Sequence, residues 1–172
     1  MSTARNASVK ITGMGASGWD YVVPYSEDMA GVLRSLQERV LRDDQFYWES
    51  EDDEFYDPDE PFPGPKPTTL AELATLKVEA EDFWEVGTHS VLDLDRVIGP
   101  DDEDHDGTLR PLPEQEVVAH FGTPHPTRQQ WESAYQGGMG DVPFARKWSG
   151  LYLALYSDGK PTEIAIWGFS GD

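Results

Sequence analysis

His89 and Ser90 stand side by side in the sequence, with Glu85 and Asp93 within four residues, and these are side-chain types that do acid–base and nucleophilic chemistry. An imidazole can take the proton of a hydroxyl, and a carboxylate can orient that imidazole. Such groups meet through the fold, however, and not by adjacency along the chain. His89, Ser90 and Glu85 are therefore catalytic candidates only if the fold turns them toward one another. The competing expectation for all three is a structural hydrogen-bonding role.

A second group points to cation chemistry. Asp102, Asp104, Asp106 and Gly107 spell the first half of a calcium loop, with oxygens at alternate positions and a glycine at the sharp turn. The second half fails, because the twelfth position, which needs a bidentate Glu, is Pro113, and Glu114 comes one residue late. No helix precedes the motif, so an acidic solvated loop is expected and no metal site is assigned. His120 and His125 flank a Gly-Thr-Pro turn, but their spacing is not one that metal sites require. Gly13, Gly15 and Gly18 have the spacing of a dinucleotide fingerprint. They lead into the strand-like Trp19 to Val23 where that motif demands a helix, and no cofactor is expected.

The densest chemistry is electrostatic. Residues 43–60, DDQFYWESEDDEFYDPDE, hold ten carboxylates and five aromatics without a single Lys or Arg, in a chain whose net charge is −20. That sign repels phosphate backbones and anionic lipid, so direct nucleic-acid and membrane binding are disfavoured and a basic protein is the expected partner. Solubility alone is the commoner role of such charge. Tyr47, Trp48, Glu51, Asp52, Asp53, Glu54, Phe55, Tyr56 and Asp57 are the expected partner-binding residues: carboxylates steer the encounter and aromatics anchor it. The leading expectation is a non-enzymatic binding protein of the immunity or antitoxin kind that occludes a basic partner, such as a nucleic-acid-acting toxin. The alternative is a small enzyme or ligand-binding domain with its pocket around Trp84, Glu85 and His89. The sequence leaves the oligomeric state open.

The elements that must position these groups can be read from periodicity. With 172 residues and 38% hydrophobic composition the chain suits a single domain, 1–172, with its own core. There is no cysteine and no apolar run of signal-peptide length, which suggests the cytoplasm. Residues 1–18 read as a loose start, with Val9 and Ile11 alternating, and 49–67 as an exposed acidic loop kept extended by its prolines. Trp19, Tyr21 and Val23 alternate as a strand. Ser26 then caps a helix over 27–42, whose stripe is Met29, Val32, Leu33, Leu36 and Val40. Thr69 and Glu72 form a capping box for a helix over 69–83 that Gly87 breaks, and 90–97 reads as a short buried strand or turn.

Leu112, Pro113 and Glu114 open a short helix that stops at Gly122, and Thr127 with Gln130 opens another that closes at Gly137 and Gly138. The clearest strands are WSGLYLALY and PTEIAIWGF, joined through Asp158-Gly159, the pair a type I′ hairpin needs. That turn sets Leu153 opposite Ile164 and Leu151 opposite Ile166. The expected fold is α+β: a mostly antiparallel sheet with a C-terminal hairpin, packed against one main amphipathic helix and several short helices.

WDYVVPY at 19–25, GTHSVLDLD at 87–95 and the ending YSDGKPTEIAIWGFSGD resemble a small acidic bacterial domain family found mainly in actinobacteria. The similarity extends over most of the chain. It implies one domain of this size, and no activity, ligand or catalytic residue comes with it.

Overall fold

The structure, a computed structural model, describes residues 17–48, 65–79, 83–135 and 142–171. The strand-like Val9 and Ile11 and most of the acidic loop, including Glu51 to Asp57, lie outside them. The described strands are β1 (Ser17–Pro24), β2 (Arg96–Val97), β3 (Thr108–Pro111), β4 (Ser149–Ser157) and β5 (Lys160–Ser170). The helices are α1 (Met29–Arg42), α2 (Leu70–Glu79), α3 (Phe83–Val86), α4 (Glu114–Phe121) and α5 (Arg128–Tyr135), with one 3₁₀ turn at Val91–Asp93. The fold is α+β. One sheet runs in the order β1-β5-β4-β3-β2; its long pairings, β1 with β5 and β5 with β4, are antiparallel, and the short ones, β4 with β3 and β3 with β2, are parallel.

The hairpin forms as expected at its tip and differs one step inward. Asp158 and Gly159 both take positive φ, 51° and 74°, so the two-residue turn has the backbone that an Asp-Gly pair supplies at least cost. Ser157 pairs with Lys160 and Tyr156 with Pro161, but Leu155 then pairs with Glu163, because a bulge inserts Thr162. Pro161 has no N–H to give the ladder, which is where a bulge is tolerated. The observed register sets Leu153 against Ala165 and Leu151 against Trp167 in place of Ile164 and Ile166.

One residue of shift moves every β5 side chain to the other face. Leu151, Leu153 and Leu155 consequently share a face with Ala165 and Trp167, while Ile164 and Ile166 join the opposite core. α1 and α2 cover the Ile164 face, where Leu33, Leu36, Val40 and Leu73 meet Trp19 and Val23. The short helices do more than flank the sheet. β3 and β4 are parallel neighbours and need a crossover, and α4 and α5 supply it, closing the second face with Val117 and Trp131.

α1 begins two residues later than the sequence suggests. Asp28 is its N-cap, its side chain accepting from the Gly31 N–H at 2.9 Å, whereas the Ser26 hydroxyl accepts from the Asp28 N–H at 3.2 Å. Both capping boxes form. Thr69 Oγ1 accepts from Glu72 N at 3.2 Å while Glu72 accepts from Thr68 and Thr69, and Thr127 and Gln130 exchange bonds of 2.9 and 3.3 Å. α2 is described only to Glu79, and the short α3 is separated from it by 80–82.

Candidate functional site

α1 ends in a turn that delivers the aromatic stretch to the body. Gln45 N bonds Val40 O at 3.0 Å and Asp44 N bonds Leu41 O at 3.2 Å, a Schellman motif with Asp44 in the left-handed position at φ 53°. The helix therefore stops at Arg42, and 43–48 forms the turn and the strap after it. Tyr47 N then bonds Thr88 O at 2.9 Å, which fixes the strap to the loop carrying His89.

The aromatic side chains of this strap divide. Trp48 is buried, its ring packing edgewise on Phe46 at 6.4 Å and against Phe83 at 6.3 Å, whereas Tyr47 is 40% exposed and lies over His89 at 5.0 Å. The ring contacts continue from Phe83 to Trp84 at 5.2 Å and from Trp84 to Trp148 at 5.6 Å. Trp148 O accepts from Gly107 N at 2.7 Å, next to the 101–106 aspartates. An aromatic path thus joins the three places where acidic sequence meets the body: after Trp48, before Phe83 and before Gly107.

Beneath this path lies a buried polar hub. Asp93 is fully buried; its Oδ1 accepts from Thr88 N at 2.7 Å and Thr88 Oγ1 at 2.8 Å, and its Oδ2 accepts from the Ser170 hydroxyl. Burial pushes the Asp93 carboxyl above the ordinary carboxylate range; the Ser170 and Thr88 bonds and the charge of Lys77 oppose that shift. Ser90 is 1% exposed. Thr88 spends its one hydroxyl proton on Asp93, so at 2.8 Å Ser90 Oγ donates to Thr88 while accepting from Leu92 N at 3.2 Å. Its proton is engaged, and it caps the 3₁₀ turn.

Two further polar groups pin this loop. Lys77 Nζ reaches Leu94 O at 3.1 Å and Asp95 at 2.6 Å, and the Gln37 amide donates to Val91 O and Leu94 O. His89 and Trp148 both have positive φ, 50° and 63°, a region that non-glycine residues hold only when their surroundings impose it. Gly87 makes room for the Trp148 ring: at φ 69°, any other residue would place a Cβ 2.3 Å from it.

Of the catalytic candidates, then, His89 faces Tyr47 and Ser90 faces the buried Asp93 hub; the Glu85 side chain lies outside the description. Trp84 is filled around by neighbours, its Nε1 donating to Lys77 O at 3.3 Å. The three aspartates of the calcium-like loop diverge. Asp102 accepts from Gly99 N at 2.7 Å, Asp104 pairs with Arg110 at 3.0 Å and Asp106 with Arg146 at 2.9 Å. Among the described residues no group of three or more His, Asp or Glu is placed to hold a metal ion. The His125 ring packs against Tyr156 at 4.3 Å, the two planes tilted by 32°. No described helix is long and apolar enough to cross a membrane.

Trp148 and the pair Asp20–Tyr135 escaped the sequence reading. Asp20 faces the α5 side of β1 and accepts from the Tyr135 hydroxyl; burial pushes its carboxyl up to about 6, against that bond. The only signal was an aspartate on the second face of a strand whose first face is Trp19, Tyr21 and Val23. Compared with known proteins, the chain matches no family model, and no curated protein or solved structure matches it either.

Proposed function

We propose that the chain is a protein-binding domain of the immunity or antitoxin kind, occluding a basic partner such as a nucleic-acid-acting toxin. The observation that supports it most is the aromatic path from Trp48 through Phe83 and Trp84 to Trp148, which connects the points where three acidic stretches meet the body. Carboxylates brought near one another sum their field within a Debye length of about 8 Å, which raises encounter rates with a cation-rich surface. Cations of this chain do not neutralise the excess. Arg34, Arg42, Lys66, Lys77, Arg110, Arg128 and Arg146 are each paired with one or two of its own carboxylates, in a chain with 33 acidic and 13 basic residues.

Tyr47 is the exposed aromatic anchor of this surface, and Glu51, Asp52, Asp53, Glu54 and Asp57 supply the steering charge. The test is capture from a lysate at low salt with the native chain and with the amide variant E51Q/D52N/D53N/E54Q/D57N. A basic protein should be retained by the native chain, released by a few hundred millimolar salt, and lost with the variant. Retention of nothing, or equal retention by both, overturns the reading.

One observation favours a second reading. The strained His89, two residues after Gly87, and Trp148, whose ring lies against Gly87, are what a ligand-binding loop built around Trp84, Glu85 and His89 would show. In that case His89→Ala removes a ligand-dependent rise in melting temperature while leaving the unliganded melting temperature unchanged.

A further inference from the structure

β1 is the outer strand of the sheet, and among the described residues no strand pairs with its far edge. The hydrogen-bond phase of that edge can be worked out. Tyr25 N bonds Thr162 O at 3.0 Å, in line with the register that pairs Val23 with Ile164 and Tyr21 with Ile166. In an antiparallel ladder bonded pairs alternate, so Trp19, Tyr21 and Val23 spend their backbone groups on β5. Gly18, Asp20 and Val22 therefore turn their N–H and C=O groups outward. The next outward position is Pro24, whose missing N–H ends the row of donors.

At the C-terminal end of β1 lies a cleft of about 390 Å³, walled by Val23 and Pro24 and by one stripe of α1, Asp28, Val32, Ser35 and Arg39. Those helix positions recur at three- and four-residue spacing, so the cleft follows the helix. A row of backbone donors that no described strand pairs, close to a partly apolar trench, is the geometry that accepts an added strand: the ladder supplies affinity, and the trench takes alternate side chains.

We propose that the open edge of β1 docks an extended basic segment of a partner protein by strand addition, with apolar side chains in the α1 cleft and Lys or Arg facing Asp20. Charge selects this occupant. Pairing β1 with a second copy would bring together two chains of net charge −20. Asp28 lines the cleft at the start of α1 and Asp20 lies on the other face of the edge, whereas Arg39 at the far end of the cleft leaves that position to a neutral or acidic residue. This choice of occupant rests on the basic-partner reading, but the residues it uses, in β1 and α1, do not include Tyr47.

The test is amide hydrogen exchange by NMR on the full chain, with a synthetic peptide alternating Val and Lys as probe and one alternating Val and Glu as control. Trp19, Tyr21 and Val23 should be protected throughout. Gly18, Asp20 and Val22 should exchange quickly in the free chain and slow by about tenfold or more with the Lys peptide only. Val22→Pro should abolish that slowing with the β5 amides still protected, because the lost N–H faces outward. Slow exchange of Gly18, Asp20 and Val22 in the free chain overturns the proposal, since the edge is then already covered by the chain's own residues or a second copy. Absence of slowing with the Lys peptide, whether or not it binds elsewhere, also overturns it, and leaves the Tyr47 surface to be judged by its own capture experiment.

Discussion

The sheet has an acid against each face, one buried and one half-buried, and the two are held in different ways. On the α1 face Asp93 is fully enclosed and accepts from Thr88 N, Thr88 Oγ1 and Ser170 Oγ, so the carboxylate organises a loop. On the α5 face Asp20 is partly exposed beside Tyr135, and the surrounding order comes from rings: Trp131 stacks on Tyr135 at 4.8 Å and meets Trp167 at 4.7 Å. One face is therefore specified at its end by a polar network and the other by aromatic volume. Among the described residues, Asp44 and Asp158 take positive φ in turns, whereas the larger His89 and Trp148 do so beside the network. Directional bonds can hold a backbone in an unfavourable region, which apolar packing does less well.

The largest effect should come from breaking the aromatic face. Trp167 is fully buried and its Nε1 donates to Pro143 O at 3.0 Å, so Trp167→Ala opens a cavity and frees a carbonyl. A loss of about 4 kcal/mol in denaturant midpoint experiments is expected. Asp93→Ala should cost less, about 3 kcal/mol, because it removes no volume comparable to an indole but strands the Thr88 and Ser170 donors. It should also release His89 from its strained geometry, visible as a shift of the His89 ring signals. Asp93→Asn should fall between native and Ala, since one amide oxygen can still accept while the NH₂ meets a donor. If Asp93→Ala proves nearly neutral, the contrast between the two faces collapses.

How much of this was legible in the sequence follows the range of the forces involved. Local signals read well: the alternation of Trp19, Tyr21 and Val23, the boxes at Thr69–Glu72 and Thr127–Gln130, and the Asp158-Gly159 turn all act within a few residues. The hairpin register was missed because the bulge beside Pro161, which a residue without an N–H tolerates, shifts the pairing by one residue. The α1 cap was missed because Ser26 and Asp28 are both good caps, and the choice lies in backbone geometry. The site was least legible. Ser170 meets Asp93 across 77 residues, and the Trp148 ring packs where only the missing side chains of Gly87 and Gly171, far from it in sequence, leave room. Nothing in a local window records such meetings.

The smallest effect, and the one that sharpens the comparison most, concerns Asp20. Burial raises its carboxyl to about 6 in the folded chain from an ordinary 3.8, with the Tyr135 bond opposing; the ring hydroxyl of Tyr135 is itself pushed well above its ordinary value by burial and by the Asp20 charge. A raised folded value means that the proton favours the folded state. The contribution is fully present below about pH 3.8 and is lost as pH rises through about 6. Asp20→Asn cannot ionise, yet its carbonyl can still accept from Tyr135. At pH 4 the variant should match the native chain, and at pH 7.5 it should be more stable by about 1 to 2 kcal/mol, the full shift being discounted for partial exposure. Denaturant titrations at the two pH values measure the difference. A gain at neutral pH that vanishes in acid would mark Asp20 as an ion the fold tolerates at the sheet edge without fully supporting it, in contrast to Asp93. An equal effect at both pH values would mean the carboxyl is as well held as Asp93, and the two faces would then differ only in their rings.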